Sequence, residues 1–331
     1  MRTTAIAMAL GVVIAASSAV AQTNAAFAAW LMELQSEAQG IGISKQTLDA
    51  SFKGVAPIPR IIELDRKQPE STLTFKQYVD RIVSNARVKR GRAQLQENSP
   101  LLQEVAAKFG VQPRFIVALW GIETNFGQNT GGFSVIAALS TLAFDGRRSK
   151  YFRGELLEAL RIVEQGHIKP ENMKGSWAGA MGQSQFMPSS FVNYAYDYNG
   201  DGAKDIWNTS ADVFASAANY LSGVGWKADI TWGREVRLPQ GFDSALANIK
   251  VVKRLSEWQT LGVRRADGSN LPARDLPASV IFPGEVGETA YVVYDNYRAL
   301  LRWNRSLYFA TAVGLLSDKI AAVKAGLGNH R

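Results

Sequence analysis

Apolar residues recur at helical spacing through the first third of the chain. Such a period places apolar side chains on one face of a helix. Pro57 and Pro59 interrupt it. The segments that show the period most clearly are Phe27–Leu34, Phe75–Ile82 and Leu101–Phe109. The pattern therefore predicts an N-terminal α domain over residues 22–112.

The pattern changes twice after residue 112. Residues 113–228 combine helical periods with glycine-rich loops, whereas residues 229–295 contain short runs rich in β-branched and aromatic residues, separated by turn-forming residues. The helical period returns in residues 296–331. We therefore predict a mainly α, α+β fold, in which a helical core of residues 113–228 and 296–331 carries a small β-rich insertion at 229–295.

The first 21 residues have the pattern of a secretory signal peptide. Arg2 precedes an apolar stretch, and Ala19, Val20 and Ala21 form an A-x-A pattern, so cleavage is expected after Ala21. No later segment offers the roughly 18 consecutive apolar residues that a membrane helix needs. The chain has no cysteine, which excludes disulfides and the anchoring residue of a bacterial lipoprotein. We expect a soluble periplasmic protein.

The net charge and the number of histidines limit the kinds of partner, metal site and cofactor that the chain can have. The formal net charge of +8 favours an anionic partner, although a merely solvated basic surface is the alternative. Nucleic acid is a poor candidate for an exported chain. The only two histidines, His167 and His330, lack a metal-binding spacing, and no phosphate-binding or dinucleotide fingerprint occurs. We expect no organic cofactor.

A carboxyl group ends an otherwise apolar helix. The run at residues 115–122 predicts a buried helix that starts near Pro113, and Asn125 and Gly127 are residue types that end helices. Glu123 should therefore face the interior from the last turn. Burial and the negative end of the helix dipole both disfavour its ionised form, which predicts a raised pKa and a general acid. The alternative is a frayed end with Glu123 in water.

Residues 197–208 have the pattern of an EF-hand calcium loop. Oxygen-bearing side chains alternate, and Gly202 stands where such a loop turns sharply. Asn208 occupies the position of the usual bidentate glutamate, and Asp205 is a weaker candidate ligand. Because Asp212 begins the next helix, it could close a longer loop. The expected ligands of a structural calcium ion are the side chains of Asp197, Asn199, Asp201 and Asp212 and the carbonyl of Ala203. The alternative is a solvated acidic turn.

A segment of small, amide and aromatic residues, 176–188, suits sugar binding. Gln185 can donate to and accept from an acetamido or hydroxyl group, and Phe186 or Trp177 can lie against a pyranose ring. The alternative is a tight turn that packs helices. The pair Arg147 and Arg148 could hold a carboxylate, or could be a solvated face.

These motifs together resemble the membrane-bound lytic murein transglycosylase B family. The residues that carry the resemblance are GIETNFG at 121–127, SWAGAMGQSQFMPSS at 176–190, and DYNGDGAKDIW at 197–207, followed by ANYL at 218–221. The resemblance extends over almost the whole chain after residue 22. It implies a lysozyme-like helical core, an N-terminal α domain, a small β domain and a calcium-binding EF-hand.

The resemblance also implies a reaction. Enzymes of this family cut the β-1,4 bond between N-acetylmuramic acid and N-acetylglucosamine without water, and leave a 1,6-anhydromuramoyl end. Glu123 matches the catalytic acid and base of the family. The positions that match its saccharide groove are Ser176, Gln185, Arg147 and Arg148.

The chain departs from the family near its last core helix. Where members commonly carry two tyrosines, this chain has Trp303 and Phe309. Both can stack on a sugar or pack, but Phe309 cannot supply a phenol hydroxyl. Tyr308 is adjacent and could replace that hydroxyl if the helix were turned locally.

Two other functions remain open at this point. A non-catalytic scaffold would bind peptidoglycan strands in the same groove and recruit cell-wall synthetic or lytic enzymes. A hydrolytic muramidase would need a second carboxylate about 5 to 9.5 Å from Glu123, and Asp145 is the candidate nearby in sequence.

Overall fold

Helices make up most of the chain. The computed structural model describes residues 7–67 and 73–322, with side chains from residue 24 onward. Its α-helices are α1 (Ala7–Gly40), α2 (Lys45–Ser51), α3 (Pro59–Arg66), α4 (Phe75–Ile82), α5 (Asn85–Glu97), α6 (Ser99–Phe109), α7 (Pro113–Thr124), α8 (Val135–Asp145), α9 (Ser149–Glu164), α10 (Pro188–Tyr194), α11 (Ser210–Gly223), α12 (Leu255–Thr260), α13 (Asp295–Trp303) and α14 (Leu307–Ala321).

The strands are short. They are β1 (Phe133–Ser134), β2 (Lys174–Gly175), β3 (Gly233–Arg237), β4 (Lys253–Arg254), β5 (Arg264–Arg265), β6 (Pro277–Ile281) and β7 (Ala290–Val293). Five of them lie between residues 229 and 295. The predicted mainly helical fold with a β-rich stretch in this region is therefore confirmed.

The chain groups into two compact units. The first unit comprises Met1–Gln68 and Thr130–Asn193, and the second unit comprises Pro69–Asn129 and Tyr194–Arg331. The domain boundaries predicted from the sequence stay a prediction. The prediction of a signal peptide at residues 1–21 is not tested, because residues 1–6 and all side chains before residue 24 lie outside what the structure describes.

The first unit is built around α8. Every side chain from Val135 to Ala143 is buried, and Ser134 caps the helix by accepting a hydrogen bond from the backbone N–H of Ala137. α9 packs along α8. The ring of Phe27 on α1 meets Phe144 edge to face at 5.2 Å. β1, which immediately precedes α8, pairs with β2 in a two-stranded antiparallel sheet.

The second unit combines helices with a five-stranded antiparallel sheet. The strand order is β4-β6-β7-β3-β5, and the sheet has its own apolar core around Trp258 and Val280. The buried indole of Trp258 donates a hydrogen bond to the carbonyl of Ala278, which satisfies its polar atom. α7 and α14 pack against each other, and Trp232 lies against Gly314 of α14.

No helix in the described part of the chain is both long enough and apolar enough to cross a membrane.

The contact between Trp232 and Gly314 provides a test of the packing. A Cβ atom at Gly314 would lie 2.2 Å from the nearest indole atom of Trp232, so we expect Gly314→Ala to lower the free energy of unfolding by about 1 to 3 kcal/mol. Gly154 is the matched control, because it is also inside a helix and has no atom within 4 Å of an added Cβ. Gly154→Ala should leave stability unchanged or raise it by up to about 1 kcal/mol. Thermal melting of both variants checks the packing, and two equal melting temperatures would contradict it.

Candidate active site around Glu123

The catalytic candidate Glu123 stands in the last turn of α7. Pro113 occupies the start of this helix, and nearly all of its side chains up to Gly121 are buried. Asn125 ends it in the left-handed conformation, with φ of 51°, and its backbone N–H bonds to the carbonyl of Gly121. The end of the helix predicted from Asn125 is therefore confirmed.

The chain folds back tightly after α7. Phe126 also has a positive φ, 61°, and its ring lies so close to Gly121 that a Cβ there would be 2.7 Å from ring atoms. Two consecutive non-glycine residues in the left-handed region are strained. Burial of the Phe126 ring against Trp120, at 5.5 Å between centroids, holds this turn in place.

An aromatic cluster surrounds the carboxyl group of Glu123. The indole Nε1–H of Trp303, the last residue of α13, donates a 2.7 Å hydrogen bond to Oε1 of Glu123. The Trp303 ring meets Tyr220 edge to face at 4.8 Å, and Tyr220 lies 4.5 Å from Tyr194. The Tyr220 hydroxyl donates to the carbonyl of Arg302 at 2.7 Å. This bond anchors the end of α13, so the indole is held in a fixed position.

Burial raises the pKa of Glu123 to about 7, and the hydrogen bond from Trp303 opposes this rise because it favours the carboxylate. A carboxyl group with this pKa can be protonated or ionised near neutral pH. It can therefore donate a proton and accept one within a single reaction.

The predicted sugar-binding segment of the first unit is a tight loop. Isolated antiparallel bridges join Gly175 to Met181 and Met181 to Phe186. Ser176 Oγ accepts the N–H of Ala180 at 3.0 Å. Gln185 has a positive φ, 48°. The segment is therefore a tight turn, and sugar binding by its residues stays a prediction.

Gln185 and Phe186 play different parts in this loop. Gln185 Nε2 donates to the carbonyls of Thr130, at 3.1 Å, and Gly182, at 2.9 Å, so its Oε1 is the atom suited to accept from a ligand. Phe186 is only 2% exposed and supports the loop from inside. That Phe186 binds a sugar ring stays a prediction.

The two predicted arginines share a buried partner. Arg147 Nε lies 2.8 Å from Oδ2 of Asp65, and Arg148 pairs with Oδ1 of the same carboxylate, which is 2% exposed. Arg148 also lies over the ring of Phe152, at 4.8 Å. Because one carboxylate faces two guanidinium groups, this cluster keeps a net positive charge. The two arginine side chains are themselves 50% and 40% exposed, so both interpretations of the pair stay predictions.

The remaining predicted groove residue, Phe309, is buried. It is 5% exposed in the first turn of α14, where Ser306 Oγ accepts its backbone N–H at 3.3 Å. The adjacent Tyr308 packs against Phe75 and Tyr78, with ring centroids 5.3 and 5.6 Å away.

The EF-hand-like loop folds around its own carboxylates. Asp197 accepts the N–H groups of Gly200 and Gly202, and Asp201 accepts that of Ala203. Asp212 is fully buried. Among the residues that the structure describes, no group of three or more His, Cys, Asp or Glu side chains is arranged to hold a metal ion. The predicted calcium ligands therefore stay a prediction.

Asp212 ties the two ends of this loop together. Its Oδ1 accepts the N–H of Tyr198, and its Oδ2 accepts that of Asp205, both at 2.8 Å. Burial raises the pKa of Asp212, and repulsion from Asp197 adds to this. The loop thus holds a carboxylate whose negative charge a bound cation would stabilise.

The structure brings some of the predicted residues together. Glu123 and Trp303 meet in the second unit. Ser176, Gln185 and Phe186 share one loop of the first unit, where Arg147 and Arg148 form a separate cluster with Asp65. Sequence reasoning missed Tyr220, Tyr194 and the hydrogen bond from Trp303. The sequence offered one indication. An indole N–H can only donate a hydrogen bond, so a tryptophan beside a glutamate can bond it only by donating to a carboxyl oxygen.

A partly buried glutamate with a pKa near neutrality, set among aromatic side chains, has the properties of a general acid and base. A family model, the transglycosylase SLT domain, matches residues 26–318. The chain therefore belongs to the transglycosylase SLT domain family. The resemblance and enzyme class predicted from the sequence are confirmed.

Individual relatives agree with this assignment. Membrane-bound lytic murein transglycosylase B of Escherichia coli (strain K12) is 31% identical over 300 residues, which cover 86% of this chain and 80% of that protein. SltB3 from Pseudomonas aeruginosa, in complex with NAG-anhNAM-pentapeptide, has a TM-score of 0.86 and 42% identity, covering 89% of this chain and 79% of that chain. Escherichia coli lytic transglycosylase Slt35, in complex with calcium, has a TM-score of 0.75 and 27% identity, covering 87% of this chain and 91% of that chain.

The indole hydrogen bond predicts how activity depends on pH. If the protonated form of Glu123 is required, kcat/KM should fall as pH rises through about 7. Trp303→Phe keeps an aromatic ring but removes the donor, so the pKa should rise further and the alkaline limb should move up by about one pH unit. The measurement is the pH profile of product release from peptidoglycan.

Tyr194→Phe is the matched control for this prediction. It removes a hydroxyl from the same aromatic cluster but leaves both the indole donor and the bond from Tyr220 to the carbonyl of Arg302 in place. Its limb should coincide with that of the wild type. Equal displacement of the limb in both variants, or none in Trp303→Phe, would show that the indole does not tune Glu123.

Proposed function

We propose that this lytic transglycosylase cleaves the β-1,4 bond between N-acetylmuramic acid and N-acetylglucosamine in peptidoglycan, with Glu123 as acid and then as base. The product carries a 1,6-anhydromuramoyl end. The observation that carries the proposal is the carboxyl group of Glu123, which has a pKa of about 7 and a single indole donor on Oε1. One group in this state can serve both proton transfers.

The indole determines which oxygen carries the proton in the first step. Since Trp303 donates to Oε1, the acid proton of Glu123 belongs on Oε2. Oε2 donates it to the glycosidic oxygen while the bond from that oxygen to C1 of the muramic acid breaks. The resulting carboxylate keeps the hydrogen bond from Trp303, which stabilises its charge.

The second step restores the acid. The carboxylate of Glu123 takes the proton from the C6 hydroxyl of the same muramic acid, and O6 forms the new bond to C1. No water is consumed, and no second carboxyl group takes part. Hydrolytic glycosidases, in contrast, usually use a pair of carboxyl groups.

The two alternative functions have less support. Asp145, the candidate second carboxylate of a muramidase, is partnered by Arg66 at 3.0 Å within the first unit. A non-catalytic scaffold does not need a carboxyl group with a raised pKa. Strongly shifted pKa values are concentrated at functional sites, where the loss of stability that burial causes serves the reaction. Product masses separate a muramidase from the proposed enzyme. The activity of the Glu123→Gln variant separates a scaffold from an enzyme.

The saccharide-binding residues are part of the proposal. Ser176 and Gln185 would hydrogen-bond hydroxyl and acetamido groups of the glycan. Arg147 and Arg148, beside Asp65, would attract the lactyl or peptide carboxylate of the substrate. The predicted aromatic contacts are Phe186, Trp303 and Phe309. Phe186 and Phe309 would act mainly by supporting the backbone around them.

The EF-hand-like loop is proposed as a structural calcium site. Its donors are all oxygen atoms, which suits calcium, and Slt35 was crystallised in complex with calcium. Asp197, Asn199, Asp201, Asp212 and the carbonyl of Ala203 would hold the ion. Bound calcium would stabilise the loop and take no part in bond cleavage.

The proposal also covers the location of the protein in the cell. We place the protein in the periplasm as a soluble enzyme, with a signal peptide cleaved after Ala21. The support is the residue pattern at the N-terminus. Its partners would be peptidoglycan strands and, through them, other cell-wall synthetic or lytic enzymes.

Replacement of the catalytic carboxyl tests the mechanism. Glu123→Gln keeps the shape of the side chain but loses the transferable proton, so cleavage should fall by a factor of about 10⁴ or more, with binding nearly unchanged. Mass analysis of wild-type products from purified peptidoglycan should show muropeptides that are one water lighter than hydrolytic products. Residual activity within about tenfold of wild type, or hydrated products, would contradict the proposed roles.

Calcium binding is tested by thermal melting. Calcium at about 100 times its dissociation constant should add about 2.7 kcal/mol to the free energy of unfolding. Asp201→Asn keeps an oxygen ligand but removes one negative charge, so it should reduce this gain. Asp267→Asn is the matched control, because Asp267 also accepts the N–H two residues on, from Ser269, but lies outside the loop. A wild-type melting temperature that is equal in chelator and in excess calcium would exclude the site.

A further inference from the structure

A recess of 420 Å³ lies at the opposite end of α7 from Glu123. All of its lining residues belong to the second unit, and those that matter here are Arg92, Leu95, Gln96, Gln103, Arg114 and Ile320. We call it the Arg92 recess. The ten residues of helix from Pro113 to Glu123 span about 15 Å, so the recess is separate from the catalytic carboxyl group.

The guanidinium group of Arg92 is held in one orientation and keeps unused donors. Its Nε and Nη2 both donate to the carbonyl of Lys319 in α14, at 3.1 and 2.7 Å. Two bonds to one carbonyl fix the guanidinium plane, and three of its five N–H groups stay available. No carboxylate in the part of the chain that the structure describes pairs with Arg92. The edge formed by Nη1 and Nη2 is therefore ready to bind a carboxylate with two hydrogen bonds.

Further polar side chains of the recess are also available to a ligand. Within the described residues, the side chains of Gln96, Ser99 and Gln103 form no hydrogen bond. A glutamine amide both donates and accepts, so it can pair with the N–H and C=O groups of a peptide bond. Leu95 and Ile320 add an apolar surface beside these amides. The lining therefore combines the groups that a peptide backbone and a small apolar side chain need.

The charge around the recess is positive. α5, which carries Arg92, contains four basic residues but only one acidic residue, Glu97 at its end. No Asp or Glu that the structure describes is among the lining residues. Arg114 is compensated because it pairs with Asp318 of α14. The excess charge is therefore centred on Arg92 and α5, and it favours an anionic ligand.

We propose that the Arg92 recess binds the free carboxylate end of a short peptide, with the carboxylate on Arg92 and the peptide amides on Gln96 and Gln103. Its volume is that of a site for a small molecule, so it receives the end of a chain. The stem peptides of peptidoglycan and the C-termini of proteins share this chemistry. The inference goes beyond the proposed function, because a ligand here attaches the protein to its surroundings and leaves the catalytic site free.

Titration calorimetry on the wild-type protein tests the binding directly. The probes are N-acetyl-D-alanyl-D-alanine and its L,L counterpart, each with a free carboxylate and each as the C-terminal amide. At least one of the two acids should bind, and its amide should bind about tenfold more weakly or less. A preference for the D,D acid assigns the recess to stem peptides, and a preference for the L,L acid assigns it to protein C-termini. Equal affinities show that the carboxylate and the backbone alone are recognised.

The variant Arg92→Gln should weaken binding of the acid by about tenfold. Lys89→Gln is the matched control, because it removes the same charge from an exposed position of the same helix that does not line the recess. Binding should be unchanged in this variant. Both variants should cleave peptidoglycan at the wild-type rate, since neither residue is part of the catalytic site.

A second variant covers the structural role of Arg92 at the end of α14. Gln103→Glu breaks no hydrogen bond within the described residues and places a carboxylate in the recess, so it should also weaken binding of the acid. Gln46→Glu makes the same replacement at an exposed position of α2 and should have no effect.

Several results would overturn the inference. They are no binding of either acid, equal binding of acid and amide, or losses in Arg92→Gln and Gln103→Glu that are no greater than those in their controls. Displacement of the bound acid by a neutral N-acetylglucosamine oligomer would also overturn it, because the peptide would then occupy the glycan site. Hydrated products from the wild-type protein would overturn the proposed reaction alone, and the binding comparison would still stand.

Discussion

The hydrogen bond from Trp303 to Glu123 is the interaction on which the site depends. It connects the end of α13 to the end of α7, although the two residues are 180 positions apart in the chain. The Tyr220 hydroxyl holds the carbonyl of Arg302, so the indole has little freedom to move away. Burial alone would favour a permanently protonated glutamate. The indole offsets part of that effect, and the carboxyl group can exist in both forms during one cycle.

Backbone strain in the described residues is concentrated in segments that carry candidate functional groups. The non-glycine residues with positive φ are Asn125, Phe126 and Gln185. Two of them come two and three residues after Glu123, and the third is a predicted ligand of the glycan. Strained conformations persist only where surrounding contacts over-determine them. Phe126 is held by its buried ring and Gln185 by two backbone carbonyls. The side chain of Asn125 donates a hydrogen bond to Gln128, so each strained residue has an identifiable restraint.

The sequence was sufficient for features that depend on neighbours along the chain. The apolar run before Glu123, with Asn125 after it, predicted a buried helix end, and the longer strands β6 and β7 lie where β-rich runs were expected. Strands β4 and β5 have two residues each, which is too short to show an alternation of apolar and polar residues. They form by pairing with β6 and β3, so the sequence alone could not predict them.

The partners of the site residues could not be predicted, because they are distant in sequence. Asp65 lies 82 residues before Arg147, and the pair of arginines could only be described as a carboxylate clamp or a solvated face. The burial of Phe186 is likewise a tertiary property, since the same residue could end a turn with its ring outward or inward. Motif resemblance identified the chemistry of these positions, whereas their contacts required the fold.

The environment of Glu123 also affects how firmly the protein is folded. In the unfolded chain this carboxyl group is hydrated and has its ordinary pKa, whereas in the folded protein its pKa is about 7. A group whose pKa is higher in the folded state contributes fully to stability below the ordinary value, and the contribution is lost as pH rises through the folded value. Near and above neutral pH, the folded protein must therefore retain a charged group in a place that disfavours charge. The reaction centre is thus a weak point of the fold in alkaline solution, which the apolar packing of α7 and α14 must offset.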